Sequence, residues 1–322
     1  MQTDKQLLYT IARLYYLDNL SQIEISRHLN LSRAKVSRLL AKAREEQIVN
    51  IQLNAPAGAN AEELEDRIRQ CFGIQNVLVV GSSYEDASVN LQNTVKYAAP
   101  YFQSFLRDGD KIGVAWGYTL LKLAENLQNT SLSSSAILQI AGNLDNADSN
   151  NYANEIIRHF SQKLGVKTLN TLPCPVIVEN SIISDLLLHD SKISNIVNQI
   201  NHVDVAFPNI NVTTEESCLW RTGYLSSDEL SQLRNHGSVG NICCRFINGQ
   251  GEIVDSSLDE RTISINLEAL RGARHSCICI AAENKIPPLV GCLRAGLVNV
   301  LAIDARTAES LLAYATSQTH GF

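Results

Sequence analysis

No apolar run in this 322-residue chain approaches the roughly 20 residues that a membrane-spanning helix needs. Nothing at the N-terminus reads as a signal peptide, so the expectation is a cytoplasmic protein with no membrane partner. Eight cysteines are present, yet they form no CxxC pair and no Cys/His set at zinc spacing. Cys243 and Cys244 are adjacent, while Cys277 and Cys279 alternate within SCICIAA. Buried, reduced thiols on strands are expected, with no metal and no cofactor. Internal repeats and low-complexity tracts are also missing. The seven histidines are dispersed, and none sits in a recognisable catalytic setting, so no catalytic residue is assigned.

An excess of positive charge is lacking too, which at first speaks against nucleic acid: the net charge is −6. The balance is uneven along the chain, however. Residues 1–53 hold eight Lys/Arg against five Asp/Glu, and the remainder holds 19 against 28. A small cationic head on an acidic body fits a regulator whose DNA contacts are confined to one end. The length favours two domains of unequal size. The reading is a head over 1–53, a linker over 54–60 containing Pro56 and Gly58, and a larger domain over 61–322.

Within the head, residues 3–19 carry Leu7, Leu8, Ile11, Leu14 and Tyr15 at helical spacing. The stretch SQIEISRHLN LSRAKVSRLL (21–40) then contains two short helical patterns, each opened by a serine. Ser21 caps the first, with Ile25 and Leu29 inward; Ser32 caps the second, with Val36, Leu39 and Leu40 inward. The outer face of the second helix carries Arg33, Lys35, Ser37 and Arg38, with no carboxylate before Glu45. That is the layout of a helix-turn-helix, whose second helix enters the major groove of double-stranded DNA. Gln22 and Ser32, at the helix starts, are placed to touch phosphates. IVNIQL (48–53) alternates like a short strand and would make the head winged-helix-like.

From residue 76 onward, apolar runs alternate with amphipathic helices. The runs are VLVV (77–80), KIGVAW (111–116), AILQIA (136–141), VDVAF (203–207), CICIAA (277–282) and NVLAID (299–304). Helices fall between them, for example at 117–127 and 151–163. This pattern predicts an α/β domain with a mostly parallel sheet. Ligands in such sheets bind where strand ends lead into helix starts. Gly117, Tyr118 and Thr119 form one such passage, with backbone N–H groups and a hydroxyl suited to an anion. Gly142 and Asn143 follow a second strand, and Lys285 in AAENK is a natural phosphate partner. SVGNICCRFINGQGEIVD (238–255) reads as a turn into a strand and a hairpin at Asn248–Gly249, offering Asn241 and Arg245. LDERTI (258–263) adds Glu260 and Arg261. Convergence of these groups would build a polar pocket.

The head sequence LYYLDNLSQIEISRHLNLSRAKVSRLL, with IGVAWGYTL, LPCPVIVEN, TGYLSSDE, VGNICCRF, DERTI and AENK in that order, resembles the SorC family of sugar-responsive bacterial regulators. The resemblance covers essentially the whole chain, and is nearest in flavour to the branch that responds to deoxyribose 5-phosphate. It implies a Rossmann-like effector domain resembling the phosphosugar isomerase and CoA-transferase-like fold. It also implies a sugar or sugar-phosphate effector and a homo-oligomer, dimer or tetramer. Several positions depart from the family pattern. Ala141 stands where that branch has a lysine able to form a Schiff base, so a non-covalent effector is expected. Tyr118 stands where arginine or threonine is common, and Asn241 where aspartate is usual. Asn209–Ile210–Asn211 replaces Gly-Ile-Gly, which removes freedom for close backbone approach. Gln47 replaces a helix-exit glycine, at a cost of about 1 kcal/mol if left-handed.

The expected function is a DNA-binding transcriptional regulator of a carbohydrate or nucleoside catabolic operon, controlled by a sugar or its phosphate. The rival is a sugar-phosphate isomerase or transferase with an incidental helical head, in which Glu260, Glu155 or Asp204 would supply an acid or base. A basic recognition face would serve such an enzyme no purpose.

Overall fold

A computed structural model describes residues 2–46, 48–49, 60–81, 86–144 and 152–319. The chain separates into two units, Met1–Ala55 and Pro56–Phe322.

The first unit is built from helices α1 (Gln2–Tyr16), α2 (Gln22–His28) and α3 (Arg33–Glu45). Helix α1 contains all of the predicted apolar positions but ends at Tyr16, short of the 3–19 range, and Asn19, at φ 54°, lies in the turn that follows. Ser21 and Glu24 form a reciprocal capping box: Glu24 N–H donates to Ser21 Oγ at 3.3 Å, and Ser21 N–H donates to Glu24 Oε2 at 2.8 Å. Asn30, at φ 52°, makes the turn, and Ser32 Oγ accepts from Lys35 N–H at 3.2 Å to open α3. Ile11, Ile25, Val36 and Leu40 are buried together, with Leu29 and Leu39 packed against them. Of the 48–53 strand expectation only residues 48 and 49 are described, as a bend; the rest, Gln47 and 54–59 of the linker lie outside the described residues.

The second unit is mixed α/β. Its main sheet contains β1 (Asn76–Val80), β2 (Lys111–Val114), β3 (Ala136–Gln139), β4 (Thr168–Asn170) and β5 (Val205–Phe207). A small sheet holds β6 (Ile210–Asn211), β7 (Gly240–Ile242) and β8 (Arg245–Ile247), and the main sheet is completed by β9 (His275–Ile280) and β10 (Val300–Asp304). The main sheet is parallel throughout, in the order β1-β10-β9-β5-β2-β3-β4. Its central strands are buried along almost their whole length, as strands covered on both faces must be. From β2 the chain proceeds outward to β3, whereas from β5 it proceeds the other way to β9. The order therefore reverses between β2 and β5, and their carboxyl ends open a crevice there.

Two expectations need correction. The run SVGNICCRF is not one strand: Cys243 and Cys244, at φ 48° and 67°, fold it into β7 and β8 through a two-residue turn closed by the Ile242–Arg245 pair. Consecutive left-handed residues match the twist of a hairpin, and here cysteine supplies them instead of Asn-Gly. The second turn runs from Asn248 to Glu252, with Asn248 Oδ1 accepting from Gln250 and Glu252 N–H. Nor do the thiols sit mainly on strands. Cys277 and Cys279 do, but Cys292 is buried in the helix Ile286–Arg294, Cys174 in a loop, and Cys71 is exposed on the helix Ala61–Phe72.

Candidate functional site

Three strand ends meet at the crevice. After β2, Ala115 N–H still donates to Phe207 O at 3.0 Å, which keeps the β2 and β5 exits side by side. Trp116 is buried and its Nε1 donates to Gly142 O at 2.9 Å. Gly117 takes φ 130°, a conformation L side chains rarely adopt, and swings the chain into the helix Tyr118–Asn126. No side chain caps that helix; Leu121 N–H is the first to return to Gly117 O, so the donors ahead of it are left for a partner. After β5, Asn209 lies across from Gly117, within ordinary contact distance of where a Cβ would stand. After β9, the turn Glu283–Lys285 brings in the lysine.

Between these ends lie two adjoining lobes of about 300 and 160 Å³. Trp116, Gly117, Tyr118, Asn209, Asn211 and Lys285 border both. Leu144, Val212, Glu216, Ser217, Cys218 and Asn284 complete the larger; Thr119 and the ends of β5 and β9 complete the smaller. The combined space is of the size of a small-metabolite site.

Electrostatically the cavity is unfinished. Burial pulls the Lys285 ammonium below its ordinary pKa, an effect partly offset by the neighbouring thiols of Cys218 and Cys279. The Lys285 ammonium makes no hydrogen bond or ion pair among the described residues. Burial in turn holds the Cys218 thiol up and pushes Cys279 up to about 12, so both stay protonated at neutral pH. Asn209 Oδ1 and Ser217 Oγ are buried without partners at the wall. Behind Asn211, its register partner Asn241 is fully buried with both amide atoms unpaired. A buried polar group without a partner costs about 1–3 kcal/mol, so the structure beside this cavity carries an unusual polar cost.

Of the ten residues expected at the pocket, Gly117, Tyr118, Thr119 and Lys285 border the cavity. The other six do not. Gly142 supports Trp116 through its carbonyl and is pressed on Pro175, where a Cβ would come within 2.7 Å of backbone atoms. Asn143 is engaged with Gln139 Nε2 at 2.9 Å and Leu172 O at 3.3 Å. Arg245 spends its guanidinium on Asp259 at 2.5 Å and on the carbonyls of Ile265, Ser264 and Thr262. Arg261 is bound to Glu229 and to Val178 O. Glu260 is exposed at the end of the short helix Ser256–Glu260. Asn241 is the buried amide just described. Asn211, Glu216, Ser217, Cys218 and Asn284 were not anticipated. Asn211 was signalled by Asn209–Ile210–Asn211 after a buried strand and Asn284 by its place beside Lys285 in AAENK, whereas Glu216, Ser217 and Cys218 carry no local signal.

In the first unit, Arg33, Lys35, Ser37 and Arg38 are exposed on the side of α3 away from Val36 and Leu40. Arg38 Nε donates to Ala34 O at 3.3 Å. Gln22 is the first residue of α2 and Ser32 the cap of α3. No group of three His, Cys, Asp or Glu able to hold a metal is present among the described residues. No described helix is long and apolar enough to cross a membrane.

The sugar-binding domain family matches residues 58–313, which contain the whole cavity. A deoxyribonucleoside regulator of Bacillus subtilis is 30% identical over 308 residues, covering 96% of this chain and 97% of that protein. The chain belongs to the SorC family of sugar-binding transcriptional regulators. The sorbitol operon regulator of Klebsiella pneumoniae, also 30% identical, is matched over 96% of this chain and 98% of its own length. Its full-length crystal structure superposes with a TM-score of 0.76 at 28% identity, over 96% of this chain and 99% of that one. A transcriptional regulator from Streptococcus pneumoniae superposes with a TM-score of 0.74 at 25% identity, over 79% of this chain and 97% of that one. These SorC-family relatives are regulators, not enzymes, and the chain is a transcriptional regulator with a sugar-binding domain.

Proposed function

We propose that the chain is a cytoplasmic homo-oligomer whose helix-turn-helix head, residues 1–53, binds operator DNA under the control of a phosphorylated sugar. The effector domain over 61–322 is read as Rossmann-like, of the phosphosugar isomerase and CoA-transferase type. The observation that carries the effector reading is Lys285: a half-buried ammonium with no counter-charge among the described residues, bordering the same cavity as an uncapped helix start. A phosphate would supply that charge and accept from the N–H groups at Tyr118 and Thr119. Sugar hydroxyls would meet the Asn209 and Asn211 side chains that border both lobes. Ala141, fully buried, offers no amine, so binding is non-covalent at that position. On the DNA side, Arg33, Lys35, Ser37 and Arg38 face bases and phosphates, and Gln22 and Ser32 contact the backbone. The likeness to a deoxyribonucleoside regulator and a sorbitol operon regulator favours a carbohydrate or nucleoside catabolic operon as the target.

A thermal-shift panel of sugars and their phosphates, followed by gel shifts on the operator region, tests this. The expected outcome is stabilisation by at least one sugar phosphate and a change in DNA occupancy of roughly 5–150-fold when it is added. Arg33→Ala and Arg38→Ala should each weaken DNA binding by about 1–3 kcal/mol and leave effector binding alone. Gel shifts unchanged in both variants would remove α3 from the DNA interface.

A further inference from the structure

The charges on the cavity wall are few and unevenly shared between its lobes. Among the described lining residues Lys285 is the one cation and Glu216 the one carboxylate. Lys285 borders both lobes, whereas Glu216 borders only the larger. The smaller lobe combines Lys285 with Gly117 and Thr119 at the helix start and has no acid on its wall. Thiols add no negative charge, since burial keeps Cys218 and Cys279 protonated. No hydrogen bond or ion pair engages Glu216 among the described residues, so its charge faces outward to the cavity and solvent unneutralised.

We propose that Glu216 makes the cavity selective for sugar monophosphates and excludes sugars carrying a second phosphate. This rests on the phosphosugar reading above. The single phosphate occupies the smaller lobe, against Lys285 and the helix start. The sugar ring or chain lies in the larger lobe, where the Glu216 carboxylate accepts from hydroxyl groups and the Asn211 and Asn284 amides complete the polar wall. A second phosphate in that lobe would meet a like charge, with no second cation among the described lining residues to pair it. Discrimination then comes from repulsion of the wrong ligand, which costs the right ligand nothing.

The test is isothermal titration of the full chain, with a chelator present so that no divalent cation bridges two anions. The probes are fructose 6-phosphate with fructose 1,6-bisphosphate, ribose 5-phosphate with ribose 1,5-bisphosphate, and the neutral sugars. The wild-type chain should bind the better monophosphate at least about tenfold more tightly than its bisphosphate, with the gap shrinking as salt is raised. Glu216→Gln should move the two affinities in opposite directions. The bisphosphate gains about tenfold, and the monophosphate loses a few fold because a neutral amide is a weaker acceptor. A gap that persists in Glu216→Gln, or a bisphosphate that binds the wild type more tightly, overturns the proposal. Monophosphates binding no better than neutral sugars would overturn the phosphosugar reading itself, and this proposal with it.

Discussion

At the scale of single residues, two side chains of the same charge do opposite things. Arg245 is satisfied entirely by its own fold, while Lys285 has no partner among the described residues. Lys285→Ala should therefore weaken a phosphorylated effector far more than the matching neutral sugar; equal losses would mean that Lys285 holds no phosphate. The pH dependence follows from the direction of its shift. In the free protein burial lowers the Lys285 pKa, and a bound phosphate would raise it again, so binding takes up a proton between the two values. Affinity should be greatest where Lys285 is protonated and fall as pH rises through its lowered free-state value. In Lys285→Arg, whose charge does not titrate in this range, that decline should disappear. Titrations over a pH range below the ordinary lysine value decide the matter.

At the scale of elements, Arg245 ties β8 to the segment from Asp259 to Ile265, and Ile263 and Ile265 donate in turn to Val176 O and Ile140 O. Removing the guanidinium leaves the Asp259 carboxylate and several carbonyls half-buried and unpaired. Arg245→Met should lower stability by about 3–5 kcal/mol in denaturant titrations, without a specific loss of affinity for the phosphate end of an effector. A stable variant would show the cluster to be ornamental. The same element shows why the sequence was only partly legible. Strands β1, β2, β3, β5, β9 and β10 stood out because burial on both faces demands continuous apolar runs. The exposed edge strand β4, with Thr168 and Asn170 at its ends, carries no such signature. Gly117, Thr119 and Lys285 were readable because strand-to-helix passages have local patterns. Arg245 and Arg261 were taken for ligand contacts because their partners, main-chain carbonyls and Glu229, come from distant parts of the chain. Asn284 shares the passage of Lys285, whereas Glu216 reaches the cavity by tertiary proximity alone. Composition says nothing of that.

For the molecule as a whole, the proposed role of α3 as the DNA-reading helix gives each chain only a few base pairs, so useful specificity would require at least two heads on a roughly palindromic site. DNA binding should therefore rise cooperatively with protein concentration, with a complex of at least two chains by analytical ultracentrifugation. A one-to-one complex at full affinity would contradict this. The charge division has a related consequence: the body outside residues 1–53 carries 28 acidic against 19 basic residues and should be held away from the DNA backbone.

The bond from Trp116 Nε1 to Gly142 O has an optical consequence. The chain contains two tryptophans. Trp116 is 2% exposed and borders both lobes of the cavity, whereas Trp220 is partly exposed and donates to Ser227 Oγ at 3.4 Å. The intrinsic emission of the protein should therefore have two components, a blue one from the cavity wall and a redder one from the surface. Replacing Trp220 with phenylalanine would leave a single fluorophore lodged where the effector is proposed to bind, a label already present in the native chain.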